Sequence, residues 1–174
     1  MPPDGGHALL KLRTTACQRV DFGAQDWVQQ EKEKEFYVRT LHSKMFDQVW
    51  KWAGTYRTHE VSIGCDPAEI VQRIPQLLAN AKHWLEPKTF PIDECLVRFH
   101  YQLVKIHPFA NGTGRHARMI TDVVAVKHGQ DEFSWGAGTN LVVEGRARAA
   151  YLTALRALDT DENDVKSLLV FARS

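Results

Sequence analysis

Cysteine is scarce in this chain. Cys17, Cys65 and Cys95 are an odd number, with no CxxC or CxxxC spacing. That speaks against a disulfide framework and for a reducing, cytoplasmic setting. No apolar run reaches the length of a membrane span. The stretch from Met1 to His7 holds prolines and glycines without an apolar centre, so it does not read as a signal peptide. Charge of one sign is missing too. The formal net charge is +1, so a basic site must be local, and nothing favours direct nucleic-acid binding. Internal repeats and low-complexity tracts are absent. What remains is a chain of 174 residues, 44% hydrophobic and 25% charged, which fits one globular domain with a real core.

Residues 1–23 carry Pro2, Pro3, Gly5, Gly6 and Gly23 and few periodic signals, and are expected to form a partly disordered arm. The domain proper is expected to be 24–174 and all-α, with six to eight helices and one small β element. From Ala24 to Trp52 the apolar spacing is helical, with a break near Thr40 and a buried face at Leu41, Met45, Val49 and Trp52. Gly54 stops it. From Thr55 to Pro67, alternating Thr, Tyr, Val and Ile suggest a short hairpin. This segment is either a plain connection or an exposed edge able to pair with another chain. Asp66 then reads as an N-cap with Pro67 at the first helical position. The helix that follows places Val71, Ile74, Leu78, Ala81 and Leu85 on one face, and Pro75 should kink it. Asp93 to Ile106 is the cleanest amphipathic helix. Met119 to Val126 is apolar nearly all round and therefore central. Asn140 to Leu158 and Asp161 to Phe171 complete the set.

Chemistry concentrates between Lys105 and Arg118. Pro108 lacks an N–H and disfavours helix in the residue before it, so the incoming helix ends at His107. Gly112 and Gly114 allow a turn that aims backbone N–H groups at one point, where the next helix begins. Arg115 and Arg118 share a face at the positive end of that helix, where a cation costs a few tenths to about 1 kcal/mol. A bound anion reverses that penalty, and fork-shaped guanidiniums suit phosphate oxygens. His107 at the rim is either a general base or a helix-ending side chain bonded to a carbonyl. His59, His83, His100 and His116 show no ligand spacing, and His7, His42 and His128 read as surface histidines.

The run His107-Pro108-Phe109-Ala110-Asn111-Gly112-Thr113-Gly114-Arg115-His116-Ala117-Arg118 resembles the signature of the Fic/Doc family, His-Pro-Phe-x-Asp/Glu-Gly-Asn-Gly-Arg-x-x-Arg. The turn Trp52-Ala53-Gly54-Thr55-Tyr56-Arg57, together with Arg148, Tyr151, Ala154 and Leu155, looks like the branch called mobile mystery protein B. The resemblance covers residues 25–172. It implies a Fic fold and transfer of AMP from ATP, with Mg²⁺, to a Tyr, Ser or Thr hydroxyl of a target protein. His107 would be the general base and Phe109 the anchor of the loop. Gly112, Thr113, Gly114 and Arg115 would bind the α- and β-phosphates, and Arg118 the γ-phosphate. Thr58, His59, Glu60, Val61, Ser62, Ile63 and Gly64 would form the flap on which the target docks.

Two positions depart from the signature. Asn111 stands where many members carry an acidic Mg²⁺ ligand, and an amide oxygen brings no charge. Thr113 stands where the family has Asn, a longer phosphate-facing side chain. These changes leave two alternatives to an adenylyltransferase: a weakened nucleotide- or partner-binding module, or a Doc-like phosphotransferase. The family's inhibitory pattern Ser/Thr-x-x-x-Glu-Gly/Asn is not matched, since Thr139 to Glu144-Gly145 is one residue too long. The resemblance therefore points to a separate antitoxin-like or helix-turn-helix partner.

Overall fold

The computed structural model describes residues 31–86, 89–136, 141 and 145–174, with the backbone alone for 31–34. The expected arm, the domain's first residues and the region around Thr139 to Glu144 lie outside it. Among the described residues six helices follow in order: α1 (Glu31–Phe46), α2 (Ile70–Leu85), α3 (Ile92–Ile106), α4 (Thr113–Lys127), α5 (Arg146–Thr160) and α6 (Lys166–Arg173). The domain is all-α, and no strand occurs among the described residues.

The first helix runs through Thr40 without a break and ends at Phe46. Tight turns then take over, with Val49 N–H donating to Phe46 O, Ala53 N–H to Trp50 O and Thr55 N–H to Trp52 O. Because the chain has left the helix, Val49 is 68% exposed instead of continuing the buried face. Asp66 caps as expected, its Oδ1 accepting the Ala68 N–H at 2.8 Å. Pro67–Glu69 form a 3-10 turn, and α2 continues from Ile70 to Leu85 with Pro75 inside it. Its inner face is Ile70, Ile74, Leu77, Leu78 and Ala81. Val71, expected inside, is exposed because the face starts one residue earlier.

The centre of the fold is α3, which packs on α2, α4 and α6. Phe99, Leu103 and Ile106 join one apolar cluster with α1, α2 and α4, while Leu96, Val97 and Tyr101 join another with α5 and α6. Asp93 and Glu94 sit at its positive end and Lys105 at its negative end, in line with the helix dipole. Beside it α4 is buried nearly all round, from Met119 to Ala125. These two central helices hold the loop 107–112 between them, so the loop is carried by the two helices packed most extensively on each other.

Residues 55–66 follow an irregular path rather than a paired hairpin. Their end groups bond elsewhere. Arg57 N–H donates to Pro108 O at 3.0 Å and Cys65 N–H to Ile106 O at 3.3 Å, so the segment is tied to the loop after α3 and not to itself. Among the described residues the N–H groups of Thr58 through Gly64 make no backbone hydrogen bond.

Candidate active site

The turn at the end of α3 is built on one strained residue. His107 lies at φ 51° and ψ 62°, and its N–H still donates to Leu103 O at 3.2 Å. The left-handed conformation costs a residue with a Cβ roughly 1–2 kcal/mol. Bonds on both sides hold it there: the helix bond to Leu103 and a 2.7 Å bond from Arg57 Nε to the His107 carbonyl. Nδ1 of His107 is buried, with no hydrogen-bond partner among the described residues. Burial first, and then the Arg57 charge, hold the imidazole below its ordinary pKa, with the Val104 carbonyl working the other way. Its neutral form is therefore favoured.

Phe109 is fully buried and anchors the loop in a cluster of rings. His42 stacks on it at 3.7 Å between centroids, and His116 meets it edge-on at 5.1 Å. His42 is not a surface residue: it is fully buried. Gly54 N–H donates to its Nδ1 at 2.9 Å, so the ring proton sits on Nε2, which donates to the Asn111 carbonyl at 3.0 Å. One imidazole thus fixes the loop against the turn that follows α1. Burial lowers its pKa to about 4, against the Asn111 bond, which raises it. His100 and His116 are also buried rather than idle, with pKa values pushed by burial to about 3. Position alone was a usable signal for His42, since it lies four residues after Val38 and four before Phe46 on the buried stripe.

At Gly112 the chain turns into α4 with φ 81°. A Cβ there would fall 2.8 Å from Phe46 Cε2 and 3.1 Å from Trp50 Cζ3, so conformation and space both demand glycine. Its carbonyl accepts the His116 N–H at 2.9 Å, but α4 has no side-chain cap. Among the described residues the N–H groups of Thr113, Gly114 and Arg115 have no acceptor, as expected for an uncapped first turn. The Gly112 N–H is different, being held by Asn111 Oδ1 at 2.7 Å. Thr113 is also turned inward: it is buried, and its Oγ1 donates to Phe109 O at 3.3 Å.

Two guanidiniums flank the open amides. Arg115 lies over the rings of Phe46 and Trp50, at 4.6 and 5.6 Å, and has no ion pair or hydrogen bond among the described residues. Burial and then the Arg118 charge lower its pKa. Arg118 lies 5.6 Å over the Tyr151 ring, whose hydroxyl shares a 2.8 Å hydrogen bond with His100 Nε2. Gly114 lies beside Arg118, whose Nη1 would be in ordinary contact, at 3.8 Å, with a Cβ there. Helix starts with open amides beside basic side chains favour anions, and this is the arrangement at the start of α4.

The flap residues Thr58, His59, Glu60, Ser62, Ile63 and Gly64 are exposed and Val61 is half-buried. They reach the site through Arg57, a residue to which sequence reasoning gave no role. Of the predicted residues, the structure gathers His107, Phe109 and 111–118 on the turn between α3 and α4 and the first turns of α4, with Gly64 against the Cβ of His107.

Fold and loop together define a helical domain with an uncapped helix start, a half-buried histidine at the turn before it and an exposed segment alongside. The family model for the Fic/DOC family matches residues 32–125, more than half of the chain, and the chain belongs to that family. It is 31% identical over 81 residues to the protein adenylyltransferase fic-1 of Caenorhabditis briggsae, which is 44% of this chain and 16% of that protein. Its fold is similar to a Fic-domain-containing signaling protein from Bacteroides thetaiotaomicron, with TM-score 0.66, 18% identity, and 94% and 63% of the two chains covered. Fic-1 of Caenorhabditis elegans, residues 134–508 with E274G, gives TM-score 0.62 at 18% identity over 99% and 50%. The chain thus spans only a part of the length of these relatives.

Proposed function

We propose that the chain transfers AMP from ATP to a hydroxyl of a target protein. The observation that carries this reading is the pairing of a neutral, half-buried His107 with an uncapped helix start and the unpaired Arg115. The N–H groups of Thr113, Gly114 and Arg115, with the Arg115 guanidinium, take the α- and β-phosphate oxygens, and Arg118 takes the γ-phosphate. Nδ1 of His107 is buried, which leaves Nε2 to face the incoming Tyr, Ser or Thr. As the hydroxyl oxygen attacks the α-phosphorus, its proton passes to the imidazole. The bond from the α-phosphorus to the bridging oxygen breaks, and pyrophosphate leaves.

Mg²⁺ accompanies the nucleotide in this reading and neutralises phosphate charge. The fit on the protein side is thin. Among the described residues no group of three or more His, Cys, Asp or Glu can hold a metal, and Asn111 offers one neutral oxygen already turned to Gly112 N–H. Asn111 Oδ1 would be the one protein oxygen of the loop on offer, so phosphate oxygens and water would have to supply most of the coordination. The exposed backbone of Thr58 to Gly64 is the place for the target to add as a strand. Any antitoxin-like regulator is a separate chain. No helix among the described residues is long and apolar enough to cross a membrane.

The inward turn of Thr113 and the Asn111–Gly112 bond favour a second reading, a module that holds nucleotide but transfers slowly. Labelling of lysate proteins with α- and γ-labelled ATP separates the readings. α-Label dependent on His107 supports AMP transfer, γ-label alone supports phosphate transfer, and binding without label supports the module.

A further inference from the structure

Arg57 is 4% exposed and has no ion pair among the described residues. A buried guanidinium without a carboxylate is costly unless other groups meet its charge. Here four carbonyls do so. Nε donates to His107 O at 2.7 Å, Nη1 to His59 O at 3.1 Å, and Nη2 to Cys65 O and, at 3.4 Å, to Ile106 O. Two of the acceptors end α3, where the dipole is negative and carbonyls lack helical partners. The other two lie in the flap segment. Gly64 completes the joint. A Cβ there would fall 2.6 Å from Arg57 Nη2 and 2.8 Å from His107 Cβ.

We propose that Arg57 is a positioning residue that joins the flap to His107, so that the base is aligned only while the flap is seated. The proposal rests on the AMP-transfer reading for its functional meaning, but the joint itself is a property of the free protein. It predicts that a target pressing on the flap adjusts the base, and that flap and base loosen together. Arg57 touches none of the open amides of 113–115, so nucleotide binding is left out of the coupling. Arg57 is the charged side chain acting on His107. Burial lowers the ring's pKa most, and the Val104 carbonyl of α3 works the other way.

The test compares the parent chain with Arg57→Met, Arg57→Lys and Gly64→Ala. The Met variant keeps the length of the side chain and loses the fork. Lysine keeps the charge but cannot span four acceptors. Gly64→Ala keeps Arg57 and crowds the joint. In Arg57→Met, the amide protons of residue 57 and Cys65 should exchange about tenfold faster. The His107 ring should titrate upward, since the Arg57 charge is one of the causes that lower it. ATP affinity by calorimetry should stay within about twofold, while kcat for transfer falls and the KM for target rises. Arg57→Lys should recover the titration midpoint more fully than the exchange rate, and Gly64→Ala should speed Cys65 exchange with Arg57 in place. An ATP affinity that falls as far as kcat would overturn the proposal in favour of a general structural role. So would an unchanged Cys65 amide and His107 titration in both Arg57→Met and Gly64→Ala. Neither exchange nor titration depends on catalysis, so a parent chain that transfers nothing defeats the functional reading while these two measurements still decide the joint.

Discussion

The imidazole of His42 lies flat against the ring of Phe109, with centroids 3.7 Å apart and planes 20° from parallel. The same imidazole bonds Gly54 and Asn111, so it sets the height of the whole loop. His42→Ala should destabilise the fold by roughly 2–4 kcal/mol, from the cavity and two unsatisfied backbone groups. His42→Gln, which can keep one bond, should cost less. Urea unfolding checks the order, and ATP affinity should fall in the same order because Asn111 adjoins the open amides.

Three buried histidines also make stability depend on pH. His42 has a folded pKa of about 4, and His100 and His116 of about 3, against 6.5 unfolded. The unfolded chain therefore binds more protons as pH falls below 6.5. Stability is complete above that value and is lost progressively toward pH 4, at up to about 1.4 kcal/mol per unit for each group. Urea midpoints at pH 7, 6 and 5 should fall steadily, in a range where unperturbed carboxylates still titrate little. Equal midpoints at pH 7 and 5 would contradict this.

Gly112→Ala should cost about 2 kcal/mol or more. It adds left-handed strain at φ 81° and a contact of 2.8 Å with Phe46. Gly145→Ala is the control, since no atom lies within 4 Å of a Cβ there and its φ is extended. A cost at residue 112 no larger than at 145 would remove the glycine argument.

The helix order and the loop were readable because their signals are local: apolar spacing for α2, α3 and α4, and Pro108 and the glycines for the turn. His100 and His116 were not readable as structural groups, and of His42 only its place on the buried stripe was. Their partners, Asn111, Tyr151 and Val38, lie 69, 51 and 78 residues away, and no spacing reports such bonds. Arg57 escaped notice for the same reason, its acceptors at Ile106 and His107 being 49 and 50 residues away. The hairpin reading of Thr55 to Pro67 rested on alternating residue types, but 58–60 and 62–64 are exposed throughout and the end bonds go to the end of α3 and the loop after it. Val49 and Val71 were misplaced because a helix end and a one-residue phase shift do not show in apolar spacing. Asp122 was hidden inside an apolar run. It is buried, its Oδ1 accepting from Phe133 N–H and Trp135 Nε1 at 3.1 and 2.9 Å.

Arg115 stands apart because its contacts are two ring faces. Arg115→Ala should therefore cost the fold little, under about 1 kcal/mol, while reducing ATP affinity by about 10- to 100-fold. Calorimetry with ATP and urea unfolding of the same variant check both halves. A stability loss larger than the binding loss would make Arg115 a packing residue.

The account depends most on His107 acting as a base over nucleotide held by the α4 amides. His107→Asn suits the test, because asparagine tolerates the left-handed conformation and leaves the amides in place. With α-labelled ATP, Mg²⁺ and lysate, the parent should label a protein target. The variant should bind ATP within about twofold of the parent and label at least about 100-fold more slowly. Undiminished α-label in the variant, or label from γ-labelled ATP alone in the parent, would contradict the account.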